Sequence, residues 1–413
     1  MGASACIEKP ATCDLSHGIV IDPASWTVTF HLTAADPEFL DKLALWFADV
    51  LPAKTTPMRR STRPLPATGP YMFTHLVPQR GAVLVRNPRF RVWSAAAQPP
   101  GFPDRIVWNA TVPLDAGTTA IERGKADVML GFGPPPNRLQ EVETQYASQV
   151  HVHPYSVVEY VFLNTRRPPF DDVRVRQALN YALDRGRLVR LQGGPTVAAP
   201  TCQVLPPLIP GYSPTCPYTL HPNESGAWTA PDLAKARALV AASGTRGMRV
   251  ELWSYQFQPY QAEMRSVASA LRKLGYRVDF RTPGDPIYYP TVDNSAKTPQ
   301  AGLLSWIADF PAAADFLQQL TCGAFEPRSF GNENVAEFCD PKTDALIARA
   351  ERLEPTDPQA AAAAWAAADC RAVELAPYAP MYVQRCVDLV SRRVGNYEFS
   401  PQSGTLVDQL WVR

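Results

Sequence analysis

Met248-Arg249-Val250-Glu251-Leu252-Trp253-Ser254, a helix-patterned run over residues 259–274, Gly275, and then Tyr276-Arg277-Val278-Asp279-Phe280 together decide the fold class of this chain. Residues 248–254 read as a strand. Met264, Val267, Ala268, Leu271 and Leu274 recur at helical spacing and give the next segment one apolar side. Gly275 supplies a helix stop, and residues 276–280 return to strand. Strand, helix and strand in this order predict a βαβ unit with a right-handed crossover. A third strand over residues 302–306 is expected to join the sheet. Parallel pairing would place Tyr255-Gln256 and Asp309 beyond strand ends on one side, where α/β sheets bind ligands.

Working outward, Leu303-Leu304-Ser305-Trp306-Ile307-Ala308-Asp309-Phe310-Pro311 is a short apolar strand that ends in an aromatic, an acid and a proline, followed by Asp315-Phe316-Leu317. Two readings of Asp309 stand side by side. It faces a cleft, or it caps the helical turn that follows.

Upstream, residues 18–32 read as two strands around an Asp22-Pro23 turn, with Val28, Phe30 and Leu32 alternating with polar neighbours. A short helix is expected after Asp36-Pro37, a hairpin over residues 71–86, a strand over 104–110 and a helix over 118–125. Residues 150–165 are strand again and place His151 and His153 on one face. Such a pair could ligate a metal, but no third ligand lies nearby in sequence, and ordinary strand histidines are the preferred reading. A helix capped by Asp171 carries Val175, Ala178, Leu179 and Ala182 on one stripe. Residues 193–228 form a Pro-dense loop that needs a staple or a function. A helix over residues 231–243 is capped by Thr229 and Asp232, and two more begin at Asp340-Pro341 and Thr356-Asp357-Pro358-Gln359. Residues 380–390 and 405–412 return to strand, so the chain crosses between two lobes more than once, as a hinge requires.

With 413 residues, the chain is long enough for two or three domains. Forty Lys and Arg balance 39 Asp and Glu, and no basic run stands out, so nucleic acid is not an expected partner. The longest uncharged apolar run, residues 360–368, is far short of the ~20 residues a membrane helix needs. Met1-Gly2-Ala3-Ser4-Ala5-Cys6 places small residues before a cysteine, yet no cationic or apolar segment precedes them, and no export signal is expected in this chain.

The eight cysteines fall as Cys6 and Cys13, Cys202 and Cys216, Cys322 and Cys339, then Cys370 and Cys386. The first three pairs lie close in sequence in polar, Pro-rich loops, the setting of local disulfides and of an oxidising compartment. Free thiols in a cytosolic chain are the alternative. No CxxC and no cysteine–histidine spacing suggests zinc, and neither a metal nor a cofactor is expected. Cys370 and Cys386, in a helix and a strand, carry no pairing expectation.

The stretch Tyr160-Val161-Phe162-Leu163-Asn164-Thr165-Arg166-Arg167-Pro168-Pro169-Phe170-Asp171-Asp172, continuing through Arg176-Gln177-Ala178-Leu179-Asn180-Tyr181-Ala182-Leu183-Asp184-Arg185, closely resembles the family-5 extracellular solute-binding proteins, the peptide- and nickel-binding components of ABC importers. Thr68-Gly69-Pro70-Tyr71 with Arg86-Asn87-Pro88, Ala234-Lys235-Ala236-Arg237-Ala238-Leu239-Val240 with Gly244, and Trp306-Ile307-Ala308-Asp309-Phe310 are similar to further signatures of that family, in the same order. The resemblance implies a two-lobed α/β periplasmic-binding-protein-like fold (type II, cluster C) that closes on ligand between its lobes. Residues 1–160 would form part of lobe I, 161–379 lobe II, and 380–413 the return to lobe I. Relative to the family the chain opens in the middle of the first lobe, which implies an N-terminally truncated lobe.

In peptide-binding members the acid of the Trp-x-Ala-Asp-aromatic motif pairs with the peptide's α-ammonium. The resemblance assigns that role to Asp309, and to Trp306, Ile307 and Ala308 main-chain contact with an extended ligand. Phe310, Tyr255 and Gln256 are further candidate contacts. The function expected is a monomeric, non-enzymatic, extracytoplasmic binding protein that delivers peptides or similar small solutes to an ABC permease. A ligand-sensing module of a larger regulatory fusion is the second reading. A hydrolase is disfavoured, since no Gly-x-Ser-x-Gly elbow occurs and the six histidines show no catalytic pairing.

Overall fold

The computed structural model describes residues 6, 9, 12–55, 64–131, 133–327 and 332–413. The stretch before Cys6, read above for an export signal, lies outside them. The first strands are β1 (Ile19–Asp22), β2 (Thr27–Phe30), β3 (Tyr71–Val77), β4 (Gly81–Arg86) and β5 (Arg105–Asn109). β1 and β2 form the expected hairpin, with Ile19 opposite Phe30, and β3, β4 and β5 form an antiparallel meander. The alternation of the first hairpin does not become burial. Val28, Phe30 and Leu32 are 53%, 36% and 41% exposed, the Phe30 ring meeting only Phe39 edge-on at 5.3 Å among the described aromatic contacts.

The second sheet contains β6 (Val150–Leu163), β7 (Ala198–Pro200), β8 (Arg249–Trp253), β9 (Arg277–Arg281), β10 (Ala301–Ile307) and β11 (Tyr378–Leu389), in the order β7-β11-β6-β10-β8-β9. β8 pairs parallel with both β9 and β10, as the βαβ reading expects. The crossover helix Tyr260–Lys273 buries Met264, Val267, Ala268 and Leu271 to 1% exposure or less. Each of the larger of these side chains contributes about 1.5–3 kcal/mol by leaving water, and a charge at Leu271 would undock the helix. Three helices of eight residues or more escaped the sequence reading: Pro136–Gln145, Arg185–Gln192, and Asp285–Val292, whose internal Pro290 masks it.

Capping follows the sequence with two corrections. Thr229, expected to cap a helix together with Asp232, instead donates its hydroxyl to Leu220 O at 2.7 Å and leaves the cap to Asp232 alone. The helix Val173–Ala182 is capped by Asp172 and not by Asp171. Asp172 is extended, so its Oδ1 reaches the Arg174 amide at 2.8 Å, whereas Asp171 already continues a turn through its own amide to Arg167 O at 3.1 Å. Asp232, Asp340 and Asp357 cap their helices as expected, and Gly244 ends its helix in the left-handed conformation at φ 70°.

The segment over residues 193–228 is loop apart from β7, which joins the sheet edge beside β11. Three devices hold it: the Cys202–Cys216 disulfide; Asp369, which accepts from the Val204 and Leu205 amides and from Gln203; and Arg185. Arg185 is fully buried, with no carboxylate partner among the described residues. Its guanidinium donates instead to the carbonyls of Thr201 (2.8 Å), Pro380 (2.8 Å), Asn180 (2.9 Å) and Tyr218 (3.4 Å), and to the Asn180 side chain at 2.9 Å. Burial lowers its pKa to about 9. Asn180 and Arg185, both in the stretch that carries the family resemblance, are therefore parts of the scaffold.

β6 and β11 are the long strands of the sheet, and each belongs to two cores. Val158 to Leu163 and Tyr378 to Val383 contribute to the main core. At their other ends Val150 and Leu389 join Ile121, Val142, Met129 and Tyr146 in a second, smaller core. The main core thus begins at Val158, inside a continuous strand.

Candidate functional site

β8 and β10 point their C-terminal ends to one edge of the sheet, but they do not stop at the same level. Pairing of β10 with β8 ends at Gly302 opposite Trp253, whereas pairing with β6 continues to Ile307 opposite Val157. From Leu303 onward, the side of β10 that β8 would occupy is an open strand edge. The Ala308 amide donates to Ser156 O at 2.9 Å and the Asn164 amide to Gln300 O at 2.9 Å, so even-numbered residues of β10 turn their backbone groups toward β6. The alternation of an antiparallel ladder then turns those of Leu303, Ser305 and Ile307 toward the open edge. Leu303 O accepts from the Tyr288 hydroxyl at 2.5 Å. Ser305 and Ile307 follow beyond it.

Tyr288 belongs to an aromatic cluster that lines this edge past the end of β8. Tyr255 stacks on Phe257 with centroids 5.5 Å apart and also meets Tyr260, Tyr288 and Tyr289, whose hydroxyl donates to that of Tyr255 at 3.1 Å. Tyr255 itself is buried, so Phe257 and Tyr289, 47% and 42% exposed, form the outer surface. Gln256 is exposed beside them.

At the far end of β10 the chain turns. Asp315 Oδ2 accepts from the Trp306 indole at 3.2 Å and from the Asp309 amide at 3.0 Å. Trp306 is half-buried, Ile307 is 52% exposed, Ala308 and Phe310 are buried, and the Asp309 carboxylate is exposed. Lys42, from the short helix Phe39–Leu43, lies over the Phe310 ring at 5.6 Å and is itself paired with Asp36 at 2.9 Å. No salt bridge to Asp309 occurs among the described residues. Burial pushes the Asp315 carboxyl up to about 7 against the pull of its two donors, and the charges of Asp309 and Glu333 push it further. Glu333 is raised by burial and then by Asp309 and Glu326. The corner therefore gathers three acids, Asp309, Asp315 and Glu333, close enough that charge among them raises the protonation of Asp315 and Glu333.

The structure thus brings Trp306 to Phe310 together as one turn and places Tyr255 and Gln256 along the strand edge that leads to it. Trp306 and Ala308 differ from expectation in one respect: as even-numbered residues they turn their backbone groups toward β6, where the Ala308 N–H is already used by Ser156, so of the three only Ile307 presents its main chain to the open edge. Asp315, Ser305, Phe257 and Tyr289 were not singled out in sequence. Asp315 stands in the quoted stretch, but its role depends on a turn that spacing does not reveal.

A second polar group lies buried behind the sheet. Glu159 of β6, opposite Ser305 and Tyr382, accepts from Gln384 at 2.7 Å and lies 3.3 Å from the Tyr260 hydroxyl, while its Oε2 has no partner. Glu263 accepts from Tyr382 at 2.9 Å. Burial pushes both carboxyls up to about 8, Glu159 also through the charge of Glu263.

Cys6–Cys13, Cys202–Cys216 and Cys322–Cys339 are disulfides with Cα separations of 4.3, 5.1 and 4.4 Å, and Cys370 and Cys386 are unpaired. His151 and His153 share a face and stack with Tyr397 and Phe399. Among the described residues no group of three His, Cys, Asp or Glu is arranged to hold a metal, and no helix is long and apolar enough to cross a membrane.

Residues 19–326 match the sequence profile of the bacterial extracellular solute-binding proteins, family 5 middle. The chain is 26% identical over 305 residues to a probable deoxycholate-binding periplasmic protein, YgiS, of Escherichia coli, a match covering 73% of this chain and 54% of that protein. It is 25% identical over 340 residues to the dipeptide-binding protein of Escherichia coli, covering 78% of this chain and 58% of that one. Among solved structures, the clavulanic acid biosynthesis oligopeptide binding protein 2 superposes with a TM-score of 0.82 at 23% identity, over 98% of this chain and 73% of that chain. The chain therefore spans little more than half the length of these curated relatives. The likeness in structure shows a shared two-lobed α/β fold.

Proposed function

This chain belongs to the bacterial extracellular solute-binding proteins of family 5, and from that premise we propose that it binds oligopeptides or similar small solutes carrying a free amino group and hands them to an ABC permease outside the cytoplasm. Its role is binding and not catalysis. The observation that carries the peptide reading is the open edge of β10, which ends at Asp309, an exposed acid with no salt bridge among the described residues. A ligand in extended conformation adds to that edge through Ser305 and Ile307, as a strand adds to a sheet. Its ammonium meets Asp309, where closure removes water and leaves the carboxylate needing an opposite charge. Phe257 and Tyr289 supply apolar surface for ligand side chains.

The names of relatives support a small amphipathic solute without fixing one, since one is named for dipeptides and another for deoxycholate. β6 and β11, which contribute to two cores, are the segments on which the lobes would hinge in this reading. Native mass spectrometry of protein purified without denaturation tests the reading. Bound peptides bearing free amino termini are expected. A bound solute without any amino group would overturn the assignment of Asp309.

A further inference from the structure

Resting on the reading of Asp309 as the ammonium partner, we propose that Asp315 is the positioning residue of this site: it holds the Asp309 carboxylate in place and adds a second negative charge behind it. The geometry is specific. One oxygen of Asp315 accepts from two donors that flank the strand end, the Trp306 indole at 3.2 Å and the Asp309 amide at 3.0 Å. These bonds close a loop in the chain from both sides, so the direction in which the Asp309 side chain leaves the backbone is set by Asp315. Asp315 is 8% exposed and lies behind Asp309, whose carboxylate is exposed. Its neighbours Ala313, Ala314, Phe316 and Leu317 are buried, so the helix that carries it is anchored in the main core. Nothing in the geometry requires an acid at this position merely for packing. An amide would accept the same two bonds through its carbonyl oxygen.

The difference between an acid and an amide is charge, and here charge acts on the ligand. The titratable groups facing Asp315 are Asp309 and Glu333, both acids, and burial already holds its carboxyl near 7. Between mildly acidic and mildly alkaline pH, Asp315 therefore passes from neutral to ionised. Ionised, it is the stronger acceptor for both donors and raises the negative potential at Asp309. Affinity for an ammonium ligand is expected to rise with pH through about 7 and to fall again where the ligand's own amino group deprotonates, near ~8. A bound ammonium, in turn, lowers the pKa of Asp315, so binding near neutral pH releases a proton.

The test uses the full chain with trialanine and N-acetyl-trialanine as probes in calorimetry, and wild type, Asp309→Ala, Asp315→Ala and Asp315→Asn as proteins. Asp315→Ala is expected to weaken trialanine binding at least ~10-fold. Asp315→Asn is expected to bind within about threefold of wild type near pH 6 but to lack the rise in affinity toward pH 7.5. Two-dimensional NMR of the Trp306 indole, assigned with Trp306→Phe, gives a readout independent of ligand. Its resonance should titrate near 7 in wild type and stay flat in Asp315→Asn. Loss of affinity in Asp309→Ala with none in Asp315→Ala would overturn the positioning role and leave the ammonium reading intact. Equal binding of trialanine and its acetylated form would overturn both. An indole resonance that titrates identically in wild type and Asp315→Asn would overturn the ionisation step alone, and with it the expected pH profile.

Discussion

Replacing Glu159 with Gln should make the protein more stable, and only at higher pH. Glu159 is 2% exposed, leaves one oxygen without a partner and shares its buried setting with Glu263. Its carboxyl is held near 8, whereas the unfolded chain has the ordinary 4.5. Below about pH 4.5 both states are protonated and burial costs nothing through this group. Between there and about pH 8, the folded protein keeps a proton that the unfolded chain has released, so stability falls as pH rises. Above that the loss is complete and constant. A difference of roughly 3.5 in pKa corresponds to on the order of 5 kcal/mol as an upper bound. Because Glu263 titrates over the same range and shares the effect, roughly 2 to 4 kcal/mol is the expectation for one substitution. Gln is neutral throughout and nearly the same shape. Urea unfolding at steps between about pH 5 and pH 9 should show the two proteins equal within ~1 kcal/mol at the acid end and the variant ahead by the larger figure at the alkaline end. Parallel stability curves for wild type and Glu159→Gln would refute the account of a carboxyl buried in its neutral form.

Two further perturbations test the scaffold. Arg185→Lys removes a planar fork that serves four carbonyls and an amide oxygen, and a lysine reaches only part of that set. A loss of about 3 kcal/mol or more is expected in chemical denaturation, and a loss under ~1 kcal/mol would show that the carbonyls find other donors. The double substitution Cys322→Ser with Cys339→Ser opens a loop with a sequence separation of 17, at a cost of roughly 3 kcal/mol in the chain-entropy model. Differential scanning calorimetry of the oxidised wild type against this variant checks it, and coincident transitions would contradict a stabilising role for the bridge.

The parts of this molecule legible in its sequence are those encoded by local pattern. The βαβ unit was visible because Met264, Val267, Ala268 and Leu271 repeat at helical spacing between two segments that read as strand, and all four are buried. The caps Asp232, Asp340 and Asp357 were visible because a cap acts within three residues of itself. Asp171 and Asp172 could not be told apart, since the pattern around them is the same and only backbone conformation separates them. The features that make the site are long-range. That β10 outruns β8 follows from the register between two strands some fifty residues apart, and which amides face the open edge follows from the register with β6. Asp315 gains its role from a turn, and Glu159 from a helix that packs across its sheet; neither signal lies in neighbouring residues. The β1–β2 hairpin shows the converse. Its alternation was read correctly as strand, yet alternation states only that a face is fit for burial, and Val28 and Phe30 remain exposed.

The central claim is that Asp309 is the charge partner of a ligand ammonium, and isothermal titration calorimetry of trialanine against wild type and Asp309→Ala addresses it directly. The exposed carboxylate at the end of the open strand edge, with no salt bridge among the described residues, predicts that the variant loses about 2 to 5 kcal/mol of binding free energy. It also predicts that acetylating the peptide's amino group costs the wild type a similar amount and the variant almost nothing. Equal affinity of the two proteins for the free peptide would contradict the claim.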